Sequence, residues 1–353
     1  MSKLISIAPL TSRLRSRISG ENDIFARADQ TVELSPNGTN RAIVPLSLPG
    51  EFDLISEALT KGTLGLQRQW LYGERTEHGP TLAFRYDDAI LADNTVYAGG
   101  RHWICRPHGH KRALVIDDYD EIENAQLCTH IACNIFFGHW IRDAMCMELL
   151  AHERGLVPLS FTYEPWMHQA GYRTLFALPG FTTSTARVRN LWIVDDRGLN
   201  SGWSRRFLEL RDRLRATTSS GGPSHVFLAR GRRGANRSLI NEGQIKGHLE
   251  QNGFAVIHPE EMDPTEIAHS LASARIAVSQ EGSHLNHAQF ALPKGAALVV
   301  IEPPHGANFF HKLLTDVSGV RFAYVVAQER ENGFELAPER LMRTLDLVDC
   351  ALR

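Results

Sequence analysis

From residue 225 onward the apolar positions fall into short, nearly continuous runs separated by amphipathic stretches. The runs are HVFLA (225–229), FAVIH (254–258), RIAVS (275–279), ALVVIEPP (297–304) and RFAYVVA (321–327). ALVVIE is apolar at almost every position, as a strand in a sheet covered on both faces must be. Between the runs, LINEGQIKGHLEQ and FFHKLLTDV read as helices, QEGSHLNHAQF as a glycine turn leading from strand into helix, and Ile267 and Leu271 share one face of a further helix. Asn252 and Gly253 supply a left-handed stop. Asp263, Pro264 and Glu266 supply a start: a capping side chain, proline at the first helical position and an acid that reaches back. The alternation predicts an α/β fold with a parallel, right-handedly wound sheet.

The first half is less regular. ALVID (113–117), VPLSFTY (157–163) and NLWIVDD (190–196) read as strands, and NIFFGHWIRDAMCMELLAHERG (134–155) as one helix. TTSSGGPS (217–224) lacks apolar periodicity and is read as a linker, dividing the chain into 1–216 and 217–353. Two domains are the ordinary expectation for 353 residues. The opening MSKLISIAPLTSRLRSRIS is basic and free of acids, and Pro9 interrupts it. A solvated terminus with at most peripheral membrane contact is expected there.

Composition narrows the field. The 38 basic and 40 acidic side chains nearly cancel, which argues against a nucleic-acid partner and against a need for a strongly anionic membrane, so any phosphate binding must rest on local charge. No apolar run reaches a membrane span and no signal-peptide core is present, so a soluble, cytoplasmic protein is expected. The five cysteines are odd in number and read as buried thiols. Cys105 with His108 and His110, or Cys128 with His130 and Cys133, lack the paired spacing of a zinc site, so no metal is assigned.

The candidate chemistry concentrates at strand ends. Ligands of a parallel sheet bind beyond the carboxyl ends of its strands. The loop RGRRGANR follows the first run and holds Arg230, Arg232, Arg233 and Arg237. A guanidinium can grip two phosphate oxygens at once, and Arg230 and Arg237 are expected to do so. Arg232 and Arg233 lie further out. No aromatic residue accompanies the loop, so RNA is not its expected ligand.

The segment Ser279 to Asn286, with Gly282 and Ser283, should offer backbone N–H groups to an anion. Glu281 within it binds sugar hydroxyls, acts as a base, or caps a helix. Glu302 can accept ribose hydroxyls. His139 and Asp143 are four residues apart beside Arg142, either as a general base and its orienting partner or as a stabilising pair. Asp118 and Asp120 form a DxD of the kind that holds a metal and a diphosphate. The chain contains no GxGxxG, Walker or GxSxG motif.

NIFFGHWIRDAM, LARGRRGANRSLINE, GFAVIHPEEMDPTEIAHSLASARIAVSQEGSHLNHAQF and VVIEPP together resemble glycosyltransferase family 61. The resemblance covers roughly 134–151 and 225–304. It implies a GT-B-like architecture of two Rossmann-like domains facing across a cleft: an N-terminal acceptor-side domain and a C-terminal nucleotide-sugar-binding domain. The activity implied is an inverting glycosyl transfer from a nucleotide-diphosphate sugar to a glycan or other hydroxyl, without metal or cofactor, in surface or capsular polysaccharide assembly. Carried over, it puts Arg230, Arg237, Asn241 and Glu242 near the donor, and His139 and Asp143 near the acceptor. Where the family's glycine-rich loop often has histidine before the glycine, this chain has Glu281. The sequence reading therefore assigns Asp143, His139 and Glu281 to catalysis, with Asp143 as base. Arg230, Arg237, Asn241, Glu242, Gly282, Ser283, Asn286 and Glu302 are assigned to the donor. A rival reading is a catalytically inactive module that binds a glycan or nucleotide.

Overall fold

A computed structural model of the protein describes residues 5–20, 22–105, 114–161, 165–219, 221–231 and 239–353. Arg232, Arg233, Arg237, His108 and His110 lie outside the described residues. The chain forms two compact α/β units. One is built from Met1–Gly38 and His78–Phe207, the other from Thr39–Glu77 and Leu208–Arg353.

The first unit holds an eight-stranded mixed sheet. Its strands are β1 (Gln30–Ser35), β2 (Thr81–Ala92), β3 (Thr95–Ala98), β4 (Arg101–Ile104), β5 (Asp120–Leu127), β6 (Val157–Phe161), β7 (Phe181–Thr183) and β8 (Thr185–Asp195). The order is β7-β6-β5-β8-β2-β3-β4, with β1 also on β2. β5 runs parallel to both neighbours, β6 and β8, whereas β2 lies antiparallel to β8. Alternating positions of β2, β5 and β8, among them Tyr86, Leu91, Leu127, Val188, Leu191 and Ile193, form the core.

In the second unit β9 (His225–Leu228), β10 (Ala255–Ile257), β11 (Ile276–Gln280), β12 (Ala297–Glu302) and β13 (Arg321–Val326) form a parallel sheet in the order β10-β9-β11-β12-β13. All six residues of β12 are buried, as its apolar run requires. Phe227, Val278, Val299, Ile301 and Val325 form the core with Ile245, Leu249, Leu345 and Val348. The helix stop at Gly253 has φ +82°, and the start at Asp263 is a full capping box with Glu266.

Three expectations are corrected. Within 114–117 only Ile116 pairs, through an isolated bridge to Ser6, so no strand forms. Pro9 does not interrupt the opening segment. It occupies the first turn of a helix, Ala8–Ser19, where its missing N–H costs nothing. The units divide after Phe207, within the helix Ser201–Ala216, and not at 216/217, and Thr39–Glu77 belongs with the second unit.

That excursion is held by buried polar ties of long sequence range. Glu51 accepts from Val326 N at 2.6 Å and from Arg340 Nη2 at 2.7 Å. Gln67 Oε1 accepts from Phe309 N at 2.8 Å. Asp316, paired with the buried Lys312, accepts from Ile43 N at 3.2 Å.

Candidate active site

Each unit brings a polar cluster to the place where its strand order reverses. In the first, this is the carboxyl end of β5, with β6 on one side and β8 on the other. The chain leaves β5 through a 3₁₀ turn, Ile131–Asn134, capped by His130, whose Nδ1 accepts from Ala132 N at 3.2 Å. A short α turn, Phe137–His139, then passes into a π turn, Trp140–Ala144, before the α-helix Met145–Glu153. The single helix expected over 134–155 is thus interrupted. A π turn inside a helix marks functional sites more often than chance. It is pinned from below by the buried Trp140, Ile141, Ala144 and Met147.

The π turn carries Asp143 into a clasp of one guanidinium and two imidazoles. Arg142 Nε lies 2.6 Å from Asp143 Oδ1, and Nη2 lies 3.0 Å from Oδ2. His139 Nδ1 is 2.7 Å and His130 Nε2 3.5 Å from the same Oδ2. Burial works against the charge of Asp143, but Arg142 and the two imidazoles outweigh it and hold the carboxyl well below the usual carboxylate range. Burial also works against a charged His130, yet Cys133 and Asp143 raise its proton affinity above the ordinary value.

His139 Nδ1 has two neighbours, since Arg142 Nη2 also lies 2.8 Å away. A bare Nδ1 would set its lone pair against the carboxylate at 2.7 Å, whereas a protonated one donates to it and leaves Nη2 to Asp143. The proton therefore belongs on Nδ1. Nε2 is then the basic nitrogen, and no described residue bonds it. The half-exposed ring of Phe136 lies beside the His139 ring, with centroids 5.9 Å apart.

His130, Cys133 and Asp143 offer one nitrogen, one sulfur and one oxygen within 4.8 Å of one another. Two features make this a poor fit for a cation. The Ala132 N–H on Nδ1 keeps the ring proton on Nε2, the atom a metal would need bare. Arg142 already supplies a full positive charge to the carboxylate. The DxD pair does no better. Asp120 opens β5, at the end of the strand away from the switch, and its Oδ2 accepts from Thr183 Oγ1 at 3.0 Å.

In the second unit the switch lies between the carboxyl ends of β9 and β11. Arg230 follows β9, and its Nη1 donates to the carbonyl of Glu281, following β11, at 2.9 Å. Gly282 makes room for the His284 ring: a Cβ there would stand 2.9 Å from His284 Nδ1. The N–H groups of Gly282, Ser283 and His284 donate to no described residue. Their carbonyl side is occupied, with Asn286 Nδ2 on Ser283 O at 2.8 Å. Asn286 is buried, and its Oδ1 meets no partner among the described residues.

His284 is kept neutral. Loss of hydration, with Arg230 and His311 nearby, pushes its pKa down to about 3. Its Nε2 lies 2.8 Å from Ser279 Oγ, which donates to Leu228 O at 2.6 Å. The ring therefore donates to Ser279 and leaves Nδ1 bare.

The two acids named from sequence are brought together by Asn308. Its Nδ2 lies 3.2 Å from Glu281 Oε1, and its backbone N 3.2 Å from Glu302 Oε2. Glu242 comes close to Arg230, and burial raises its pKa. Asn241 is occupied otherwise: its amide accepts from Leu336 N at 3.2 Å and donates to Leu336 O at 2.8 Å. That pairing fixes the start of the helix Glu242–Gln251 and leaves Asn241 a structural task. Sequence reasoning missed Phe136, His284 and Asn308, and considered His130 only within a zinc set that its spacing ruled out. Only His284 carried a signal, its place beside the glycine of the loop.

Residues 137–300 match the family model Glycosyltransferase 61. This match makes a stretch of just under half the chain similar to glycosyltransferase family 61. The matched segment contains the π turn with His139 and Asp143, Arg230 and the loop from Ser279 to Asn286, and it supports a glycosyltransferase activity. His130 and Cys133 precede it, and Glu302 and Asn308 follow it. No curated protein matches the sequence. Among solved structures, a mutant flavo di-iron protein from Thermotoga maritima is similar over 61% of this chain and 51% of its own, about half its length, at 9% identity and a TM-score of 0.29.

Proposed function

We propose that this protein is an inverting glycosyltransferase that uses a nucleotide-diphosphate sugar, a hydroxyl acceptor and no metal. The observation that carries the proposal is the second switch point. There the Arg230 guanidinium, bonded to the Glu281 carbonyl, meets the loop Gly282–His284, whose N–H groups have no acceptor among the described residues, beyond the strand ends where an α/β sheet takes its ligand. Arg230 and those N–H groups would stabilise the diphosphate as it leaves, with Arg237 completing the grip. Glu302 and Glu281, held by Asn308, suit sugar and ribose hydroxyls. The GT-B arrangement belongs to the same proposal, supported by the family similarity and by the α/β build of each unit.

The geometry argues for exchanging the roles of the first cluster. Asp143, with its affinity for protons so reduced, makes a weak base. His139, fixed through Nδ1, presents a basic Nε2, so His139 is the base and Asp143 orients it. In the step proposed, Nε2 takes the acceptor's hydroxyl proton. The oxygen then bonds to the anomeric carbon from the face opposite the diphosphate, which departs with the electron pair of the broken C–O bond. Phe136 gives the acceptor sugar an apolar surface.

One observation favours a second reading. Glu242 lies close to Arg230 and opposes its charge, as it would in a module that binds a neutral glycan without turnover. Proton NMR of the product formed from an α-linked donor separates the two. A β-linked product supports the transferase, an α-linked product contradicts inversion, and binding without any product supports the module.

A further inference from the structure

The helix Ala8–Ser19 packs on β3 and β4 with Pro9 and Ser12 buried, and Arg13 Nη2 bonds Tyr97 OH at 2.5 Å. Its opposite face is apolar and bare. Ile7 is 53% exposed, Leu10 43%, Leu14 55% and Ile18 78%. With about 3.6 residues per turn these four fall within an arc of about 80°, diametrically across from Pro9, Ser12 and Ser16. Arg15 and Arg17, both exposed, flank the stripe on its two sides, and the helix contains no acid. The patch continues beyond the helix. The bridge between Ser6 and Ile116 sets the exposed Leu114 and Val115 beside Ile5 and Ile7.

Four large aliphatic side chains in one exposed line are costly to leave in water. The packing of Pro9 and Arg13 fixes the helix with this line outward, so it cannot roll inward to hide it. An apolar stripe with arginines on both shoulders matches the depth profile of a lipid interface: acyl chains take the leucines and isoleucines, and phosphates take the guanidiniums. Asp117 and Asp118, exposed next to Val115, bound the patch at that end.

We infer that the outer face of the helix Ala8–Ser19 is a docking surface for a membrane carrying anionic lipids, lying in the interface without crossing it. No described helix is long and apolar enough to span a bilayer, which fits a surface mode. This inference is independent of the transferase reading.

Vesicle flotation of the full chain tests it, using phosphatidylcholine vesicles with and without roughly one third phosphatidylglycerol. The wild type is expected to float with the anionic vesicles. The exposed-site variant Leu14→Asp/Ile18→Asp is expected to lose binding by roughly tenfold or more, with unchanged thermal unfolding. Arg15→Gln/Arg17→Gln is expected to weaken binding to the anionic vesicles while leaving the weak binding to neutral ones. Wild-type protein that stays at the bottom with both vesicle types overturns the inference. So does a stripe variant that floats like wild type. If the wild type sediments as a dimer, fails to float, and the stripe variant is monomeric, the face serves self-association and the membrane reading is wrong.

Discussion

A carboxylate gripped by a guanidinium and two imidazoles gives up most of its basicity, and this decides how His139 and Asp143 divide their work. His139→Gln should reduce kcat by roughly 10²–10⁴ at saturating donor, the usual scale for a lost general base. Asp143→Asn should also lower kcat, because the amide no longer fixes the ring's tautomer, while donor affinity changes within a few fold. Near-normal turnover in His139→Gln would return the base to Asp143. The titrations have definite signs. Asp143, lowered in the fold, stabilises it above the ordinary 3.8, and this contribution is lost as pH falls below that value. His284, lowered from 6.5 to about 3, favours the fold above pH 6.5 and loses its contribution as pH falls from 6.5 toward 3. In urea titrations across that window, His284→Gln should show a flatter pH dependence than wild type. At this scale the spacing of His139 and Asp143 was legible in the sequence. The clasp was not, because His130 is delivered by a 3₁₀ turn and Arg142 by a π turn, neither of which follows from apolar periodicity.

Elements were read best where local chemistry and burial agree. Each of the five apolar runs after residue 225 is a strand, and Asp263 caps its helix by accepting from Thr265 N at 2.7 Å and Glu266 N at 2.9 Å. Asp263→Ala should lower stability by about 1 kcal/mol, readable as a shift in urea midpoint with unchanged slope. Elements were misread where one residue was given too much weight. Pro9 looked like a breaker but starts its helix. ALVID had strand composition, yet among its described residues only Ile116 has a pairing partner, Ser6.

At the scale of the molecule, the excursion Thr39–Glu77 had no sequence signature, since its attachment to the second unit depends on single buried bonds to residues more than two hundred positions away. Glu51→Ala strands Arg340 and the Val326 N–H, and should destabilise that unit by about 2–4 kcal/mol. Hydrogen exchange should report this as lost protection along β13, with the strands of the first unit unaffected. The parallel sheet and its switch point were legible because five apolar runs with helices between them allow few other arrangements. Asn308, the residue that joins Glu281 to Glu302, was not legible because that link exists only in three dimensions.

The most direct measurement is release of free nucleoside diphosphate from UDP-, GDP- and dTDP-sugars with simple sugar acceptors, in the presence of a chelator, for the wild type and Arg230→Ala. The account predicts acceptor-dependent release that survives the chelator and falls at least roughly a hundredfold in Arg230→Ala, since it loses a charge aimed at the leaving group. Turnover abolished by the chelator, or undiminished in Arg230→Ala, would contradict it.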